Sequence, residues 1–344
     1  MSLPTLPPQP PGTPWPTEAW PCGDGPGDPR FGPLLEMAFG AQSRPDLAET
    51  HALVVVHRGR LVAERYADGF GPDVSCPSWS VAKSVTHALV GLLVGDGEVD
   101  IHAPVAAPEW RERTDPRSAI TLDLLLRMSS GLAFVEEYLP DRPSDVIEML
   151  WGAGKDDVAH FAASFPLAHP PGRFWAYSSG TTNIVARAAG AAVAARDAGV
   201  EGFMRNRLFE PLGMTSAAPK FDAAGTFIGS SFCFATPRDF ARFGLLYLRD
   251  GLWEGRRLLP EGWVDYARTP TWRQPTDEAR YGAHWWLDIA GPGSFSANGY
   301  QGQFIVLAPT RDLVIVRNGA TSAEDMPGVK GWIKAIAECF PEGG

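Results

Sequence analysis

Hydrophobic and polar positions change period along the chain. His51 to His57 is an almost unbroken apolar run, and after Arg58-Gly59 a second run follows from Leu61 to Tyr66. Two such runs across a short turn predict a β-hairpin, and the unbroken first run predicts a strand covered on both faces. Val81, Ala82, Val85, Ala88, Leu89, Leu92 and Leu93 then recur at helical spacing, which predicts a buried helix from near Ser80 to Gly95 or Gly97. Phe31 to Phe39 reads as a short helix ahead of the hairpin.

The middle of the chain is helical in pattern and weak in strand signals. A helix opens at Thr121, a plausible cap, and stops at Ser129-Ser130-Gly131; Ser144 to Trp151 and Val158 to Phe165 follow as short helices. A turn-rich aromatic loop, Pro170 to Gly180, leads into a helix over Thr182 to Ala195. Thr236-Pro237-Arg238-Asp239 carries a full set of helix-start residues, and Gly251 stops that helix. Arg238 and Asp239 read as structural. Strand patterns then return at Tyr281 to Leu287 and Ser294 to Gly302, and Gln303–Ala308 and Leu313–Arg317 form a second hairpin before a terminal helix over Val329 to Phe340.

This order predicts an α/β (α+β) fold, an antiparallel sheet built from both chain ends and flanked by helices, with a mostly helical lobe inserted. The expected division is a proline-rich arm over 1–30 and one domain over 31–344. Within that domain the α/β lobe takes about 31–95 and 230–344, and the helical lobe about 96–229.

Composition narrows the function without defining it. The 344 residues hold 30 Lys and Arg against 40 Asp and Glu, a net charge of −10, with no basic stripe, so recognition of nucleic acid through phosphates is not expected. Apolar runs break well before the length of a membrane span. The first residues, MSLPTLPPQPPGTPWPTEAWPCG, have neither a positive segment nor an apolar core, so they are not read as a secretory signal. Cys22, Cys76, Cys233 and Cys339 are scattered, which reads as four reduced thiols in a cytoplasmic protein rather than disulfides or a metal site.

Candidate chemistry begins at Ser80 and Lys83. Residues three apart share a helix face, so the serine hydroxyl falls beside the lysine amine. Free lysine has a pKa near ~10.4, and burial that neutralises it yields a base able to take the serine proton. Tyr177 and Ser179, two apart on the aromatic loop, can point into the same cleft. Trp175 and Tyr177 equally fit a plain role in filling the gap between lobes.

Three ordered segments, Ser80-Val81-Ala82-Lys83, Tyr177-Ser178-Ser179 and Ala297-Asn298-Gly299-Tyr300-Gln301-Gly302-Gln303, resemble the motifs of the serine β-lactamase and penicillin-binding-protein superfamily. Leu122–Leu132, Phe209–Met214 and Arg238–Arg242 are similar to further segments of it, so the resemblance covers most of the chain from about residue 50. The Tyr-x-Ser form and the Gly-x-x-Gly-Gln turn look closest to class C-like esterases and the 6-aminohexanoate-dimer hydrolase group. The resemblance implies a serine hydrolase without cofactor or metal, acting through an acyl-enzyme on a small ester or linear amide, with a homodimer compatible with the pattern. Ser80 would be the nucleophile, Lys83 the base and Tyr177 the proton donor. The backbone N–H groups of Ser80 and Tyr300 would hold the oxyanion, and Ser179, Trp175, Glu136, Glu137, Asn298 and Gly299 would line the substrate site. Ala297-Asn298-Gly299 departs from the family by offering no cationic side chain, and no E-x-x-L-N segment is present; both count against efficient β-lactam hydrolysis. The alternatives are a non-catalytic fold of this type that binds a peptide or partner, or a weak β-lactamase or D-amino-acid peptidase.

Overall fold

A computed structural model of the chain describes residues 3–40, 43–112, 114–137, 144–194, 198–271 and 280–343. Its centre is a six-stranded antiparallel sheet formed by β1 (Thr50–His57), β2 (Arg60–Tyr66), β3 (Trp286–Leu287), β4 (Phe295–Gly299), β5 (Gln303–Ala308) and β6 (Leu313–Gly319). The strand order is β2-β1-β6-β5-β4-β3, so the first hairpin pairs directly with the last strand of the chain. The two ends of the chain close one sheet.

The unbroken apolar strands follow from this sheet being covered twice. In β1, Val54 and Val56 enter one core while Leu53 and Val55 enter the other, and Val314 and Val316 against Leu313 and Ile315 repeat the split in β6. On one face lie α1 (Phe31–Phe39) and the terminal helix, which meet the sheet through Leu35, Trp332 and Ile336. The larger core on the other face holds α2 (Ala82–Gly95), whose residues from Ala82 to Leu93 are all buried. The inserted lobe adds α3 (Leu122–Leu126), α4 (Asp145–Trp151), α5 (Val158–Ala163) and α6 (Ser179–Val193), and α7 (Pro237–Leu248) returns to the sheet. The terminal helix is α8 (Met326–Glu338). Among the described residues no helix is long and apolar enough to cross a membrane.

Several boundaries differ from the sequence reading, each for a local reason. The helix opened by Thr121 is only five residues long, and Met128, at φ +55°, turns the chain out of it. Helix α6 starts at Ser179 instead of Thr182, because Ser178 takes the capping position and accepts from Thr181 N at 3.2 Å; the predicted end at Ala195 lies outside the described residues. The strand expected over Tyr281 to Leu287 shrinks to Trp286–Leu287, since His284 sits at φ +56°. The strand expected to run through Gly302 ends at Gly299, and Tyr300 opens a short 3-10 turn.

The proline-rich arm lies along α7 and the segment beyond it. Arg242 Nε donates to the Pro16 carbonyl at 2.7 Å, Arg249 Nη1 to that of Pro7 at 3.1 Å, and the Trp253 indole to Thr17 Oγ1 at 2.8 Å. Gly213, at φ +71°, meets this arm so closely that a Cβ would stand 1.9 Å from the Thr17 carbonyl oxygen. Proline suits such a segment because it loses little freedom on ordering and its carbonyls stay free to accept.

Candidate active site

Ser80 lies in a 3-10 turn, Trp79–Val81, that runs straight into α2, where Lys83 is the second residue. The turn sets Lys83 Nζ 3.0 Å from Ser80 Oγ. The serine is half-buried and reachable, whereas the lysine is 1 % exposed. Burial lowers the Lys83 pKa to about 8, against the charge of Glu136, which raises it. The difference from an ordinary lysine is worth about 3 kcal/mol against the charged form.

The partners of Lys83 decide what its nitrogen can do. Nζ donates to Ser179 Oγ at 2.9 Å and to the Ser230 carbonyl at 2.9 Å. Ser179 Oγ gives its own hydrogen to Glu136 Oε1 at 2.6 Å, so toward the lysine it is an acceptor. A carbonyl can only accept. A neutral amine has two hydrogens and one lone pair; the two acceptors claim the hydrogens, and the lone pair remains for the Ser80 hydroxyl.

Helix α6 delivers the second set of groups from three consecutive residues. Ser178 caps the helix, Ser179 begins it beside Lys83, and Tyr177 precedes the cap. The other Glu136 oxygen accepts the Ser179 backbone N–H at 2.7 Å, which places a carboxylate on an unpaired donor at a helix start. The Tyr177 ring lies with its centroid 4.9 Å from Lys83 Nζ, and its phenol faces the Ser80 side chain. Burial, then the charge of Glu136, holds its phenol well above the ordinary value of 10.0, so it keeps its proton at neutral pH. The Tyr177 ring is fixed by Tyr281 at 5.9 Å and Trp286 at 5.3 Å.

Behind Lys83, His284 donates to the backbone of the first turn of α2. Its Nδ1 lies 2.9 Å from the Lys83 carbonyl and its Nε2 3.2 Å from Thr182 Oγ1. Burial, and then the Lys83 charge, lowers the imidazole to about 3, so it is neutral, with Nδ1 donating and Nε2 accepting. On the other wall, Gly299 passes so close to the nucleophile turn that a Cβ would stand 2.4 Å from the Ser78 carbonyl oxygen. Only glycine permits that approach. Tyr300 follows it, with its ring 5.6 Å from that of Trp79.

The structure therefore gathers Ser80, Lys83, Ser179 and Glu136 into one hydrogen-bonded set, with Tyr177 beside Lys83 and with Gly299 and Tyr300 on the wall beside Ser80. Trp175 is 5 % exposed in a cluster with Met128 and Tyr281, so it backs Tyr177 and does not face the opening. Glu137 is exposed. Asn298 lines a separate cavity of about 410 Å³ with Trp286, Lys330 and Lys334, because strand alternation turns it away from the face that carries Ala297. The sequence reading missed Ser230, Asn183, whose Oδ1 accepts from Ser230 N at 3.1 Å, and His284. Nothing local marks them, since each acts through a fold contact with a distant segment. Among the described residues no cluster of His, Cys, Asp or Glu is placed to hold a metal.

Comparison with known proteins agrees with the superfamily resemblance. The sequence profile of the Beta-lactamase family matches residues 40–337. The chain belongs to that family. The 6-aminohexanoate-dimer hydrolase of Paenarthrobacter ureafaciens is 28% identical over 320 residues, 83% of this chain and 78% of the relative. Among solved structures, a candidate 6-aminohexanoate-dimer hydrolase from Bacillus anthracis superposes with a TM-score of 0.73 at 23% identity, covering 86% of this chain and 81% of its own. A family VIII carboxylesterase gives 0.69 at 14% identity, covering 93% and 99%. At these identities the two structures establish the fold. This family member is a serine hydrolase of the β-lactamase-like type.

Proposed function

We propose that the chain hydrolyses small esters or linear amides through an acyl-enzyme on Ser80. Ser80 Oγ attacks the carbonyl carbon while its proton passes to the Lys83 lone pair. The tetrahedral oxyanion lies against the backbone N–H groups of Ser80 and Tyr300, a placement supported by the tight approach of Gly299 to Ser78. Tyr177 gives its proton to the leaving oxygen or nitrogen as that bond breaks, and recovers one from Lys83. Water then attacks the acyl carbon as its proton passes to the Lys83 lone pair; the bond to Ser80 Oγ breaks, Oγ takes that proton back, and the carboxylic acid leaves. Ser179 and Glu136 hold the amine rather than the substrate.

The observation that carries this reading is the exhaustion of the Lys83 hydrogens on Ser179 Oγ and the Ser230 carbonyl, at 2.9 Å each. Ala297, 1 % exposed, offers a methyl group where a β-lactam carboxylate needs a cation, which supports linear substrates over β-lactams. A cytoplasmic location is supported by four free cysteines, three of them buried.

Intact-mass labelling with a fluorophosphonate, with p-nitrophenyl esters and linear amides as substrates, tests the proposal. Wild-type protein gains one adduct on Ser80 and turns over at least one substrate class; Ser80→Ala does neither while keeping its melting temperature. Turnover by Ser80→Ala at the wild-type rate, or a wild-type protein that takes no label, would refute it.

A further inference from the structure

Outside the catalytic set, the densest unexplained feature is a group of aromatic rings on the rim of the Ser80 turn. The Trp79 ring meets those of Trp151 at 6.2 Å, Phe232 at 5.9 Å and Tyr300 at 5.6 Å, and Trp151 meets Phe232 at 6.0 Å. These rings come from four separate segments: the nucleophile turn, the end of α4, the loop after Ser231 and the turn after β4. Of the three large aromatic side chains that stay exposed among the described residues, two are here, Trp151 at 51% and Tyr300 at 53%. Exposed aromatics concentrated in one place mark a surface kept open for an occupant.

The backbone supports the same view. Trp79 holds φ +44°, the left-handed region that a bulky side chain avoids. Strain of this kind persists where function holds it, and here it belongs to the residue that precedes the nucleophile. The ring contacts are tilted or edge-on, with interplanar angles of 52° to 84° from Trp79, so they form a rough apolar wall and not a slot for one flat ring. None of the four rings brings a carboxylate or an ammonium group of its own.

We propose that this wall is the subsite for the acyl half of the substrate, and that it selects large, uncharged apolar acyl groups over acetyl-sized ones. This rests on the serine-hydrolase reading. The assignment to the acyl half follows from the two aromatic groups at the site: the leaving group departs on the side of Tyr177, whose ring is packed with Tyr281 and Trp286, and the Trp79 group contains none of these. An alkyl or aryl chain attached to the carbonyl bound at Ser80 then runs across Trp79 toward Trp151 and Phe232, and covers apolar surface that otherwise faces water.

A series of p-nitrophenyl esters keeps the leaving group constant while the acyl chain grows from acetate through butyrate to octanoate and phenylacetate. In wild-type protein kcat/KM for the octanoate exceeds that for the acetate by about tenfold or more, after correction for the intrinsic reactivity of each ester. Trp151→Ala lowers the octanoate-to-acetate ratio about tenfold. Purely structural damage would depress both esters and leave the ratio unchanged. Phe174→Ala serves as control, because Phe174 is 47% exposed yet stacks on His169 away from this group, and its ratio stays at the wild-type value. A flat chain-length profile in wild type, or a ratio untouched by Trp151→Ala, overturns the proposal. Should wild type hydrolyse none of the esters and take no fluorophosphonate label, the hydrolase reading fails. Tryptophan fluorescence titration of Ser80→Ala with octanoate and with acetate then decides the subsite: binding of octanoate alone, lost in Ser80→Ala/Trp151→Ala, upholds it, and equal or absent binding of the two acids overturns it.

Discussion

Two aromatic groups flank Ser80, and they differ in what surrounds them. Near Tyr177, Trp175 and Tyr281 are 5 % and 1 % exposed, and their packing fixes one hydroxyl beside the nucleophile. Near Trp79, Trp151 and Tyr300 are more than half exposed. In the proposed mechanism the closed group carries the chemistry. The open group gains its burial only when something occupies it. A dry, fully partnered amine can therefore sit near a wet rim without conflict, because proton transfer requires fixed geometry and substrate choice requires unsatisfied surface.

The sharpest way to break this division is at the base. Lys83→Met fills the same volume with no charge to desolvate, so the melting temperature holds close to wild type while kcat on p-nitrophenyl acetate falls at least about a thousandfold. Circular dichroism melts and steady-state rates measure both; a variant within tenfold of wild type would mean that the amine is not the base. Next in size is Gly299→Ala. Its Cβ would stand 2.4 Å from the Ser78 carbonyl oxygen, so β4 has to move off the nucleophile turn. If Tyr300 N–H holds the oxyanion, kcat falls about a hundredfold with KM little changed, and a rate near wild type would remove Tyr300 from that role.

How far the sequence alone reaches differs between these parts for physical reasons. The sheet from both chain ends was readable because β1 and β6 are unbroken apolar runs, and only a strand buried on both faces needs that pattern. Ser80 and Lys83 were readable because a single helical turn joins them; the cap at Ser178 is equally local, yet the sequence reading began that helix three residues late, at Thr182. Glu136 was placed in the cleft, but its bonds to Ser179 cross 43 positions of chain and so carry no local signal. Ser230, Asn183 and His284 carry no local signature; their roles exist only once α2, α6 and the loop before β3 are packed together. Asn298 shows the limit of motif matching, because the next residue, Gly299, reaches the nucleophile turn while alternation along β4 sends the Asn298 side chain into another cavity. The aromatic rim was invisible for the same reason as Ser230, being assembled from four distant segments.

The smallest expected effect tests whether Glu136 acts through charge, through position, or both. In wild type the neutral amine is the active form, and the Lys83 pKa of about 8 means that kcat/KM rises with pH and levels off above about 8. The charge of Glu136 raises that pKa against the effect of burial, so removing it lets the proton leave more easily. Glu136→Gln therefore moves the midpoint of the pH profile to lower pH. The same change replaces an oxygen that accepts from Ser179 by an amide nitrogen that cannot, which loosens the Ser179 hydroxyl and with it the aim of Lys83. The plateau rate accordingly falls about tenfold. Below pH 7 the two effects oppose each other, since the variant holds more neutral lysine but uses it less well, and its rate draws closer to wild type than at pH 9. Glu136→Asp keeps the charge, so its midpoint stays near that of wild type even where its shorter reach costs rate. A midpoint unmoved in Glu136→Gln would exclude the electrostatic role, and an unmoved plateau would exclude the positional one.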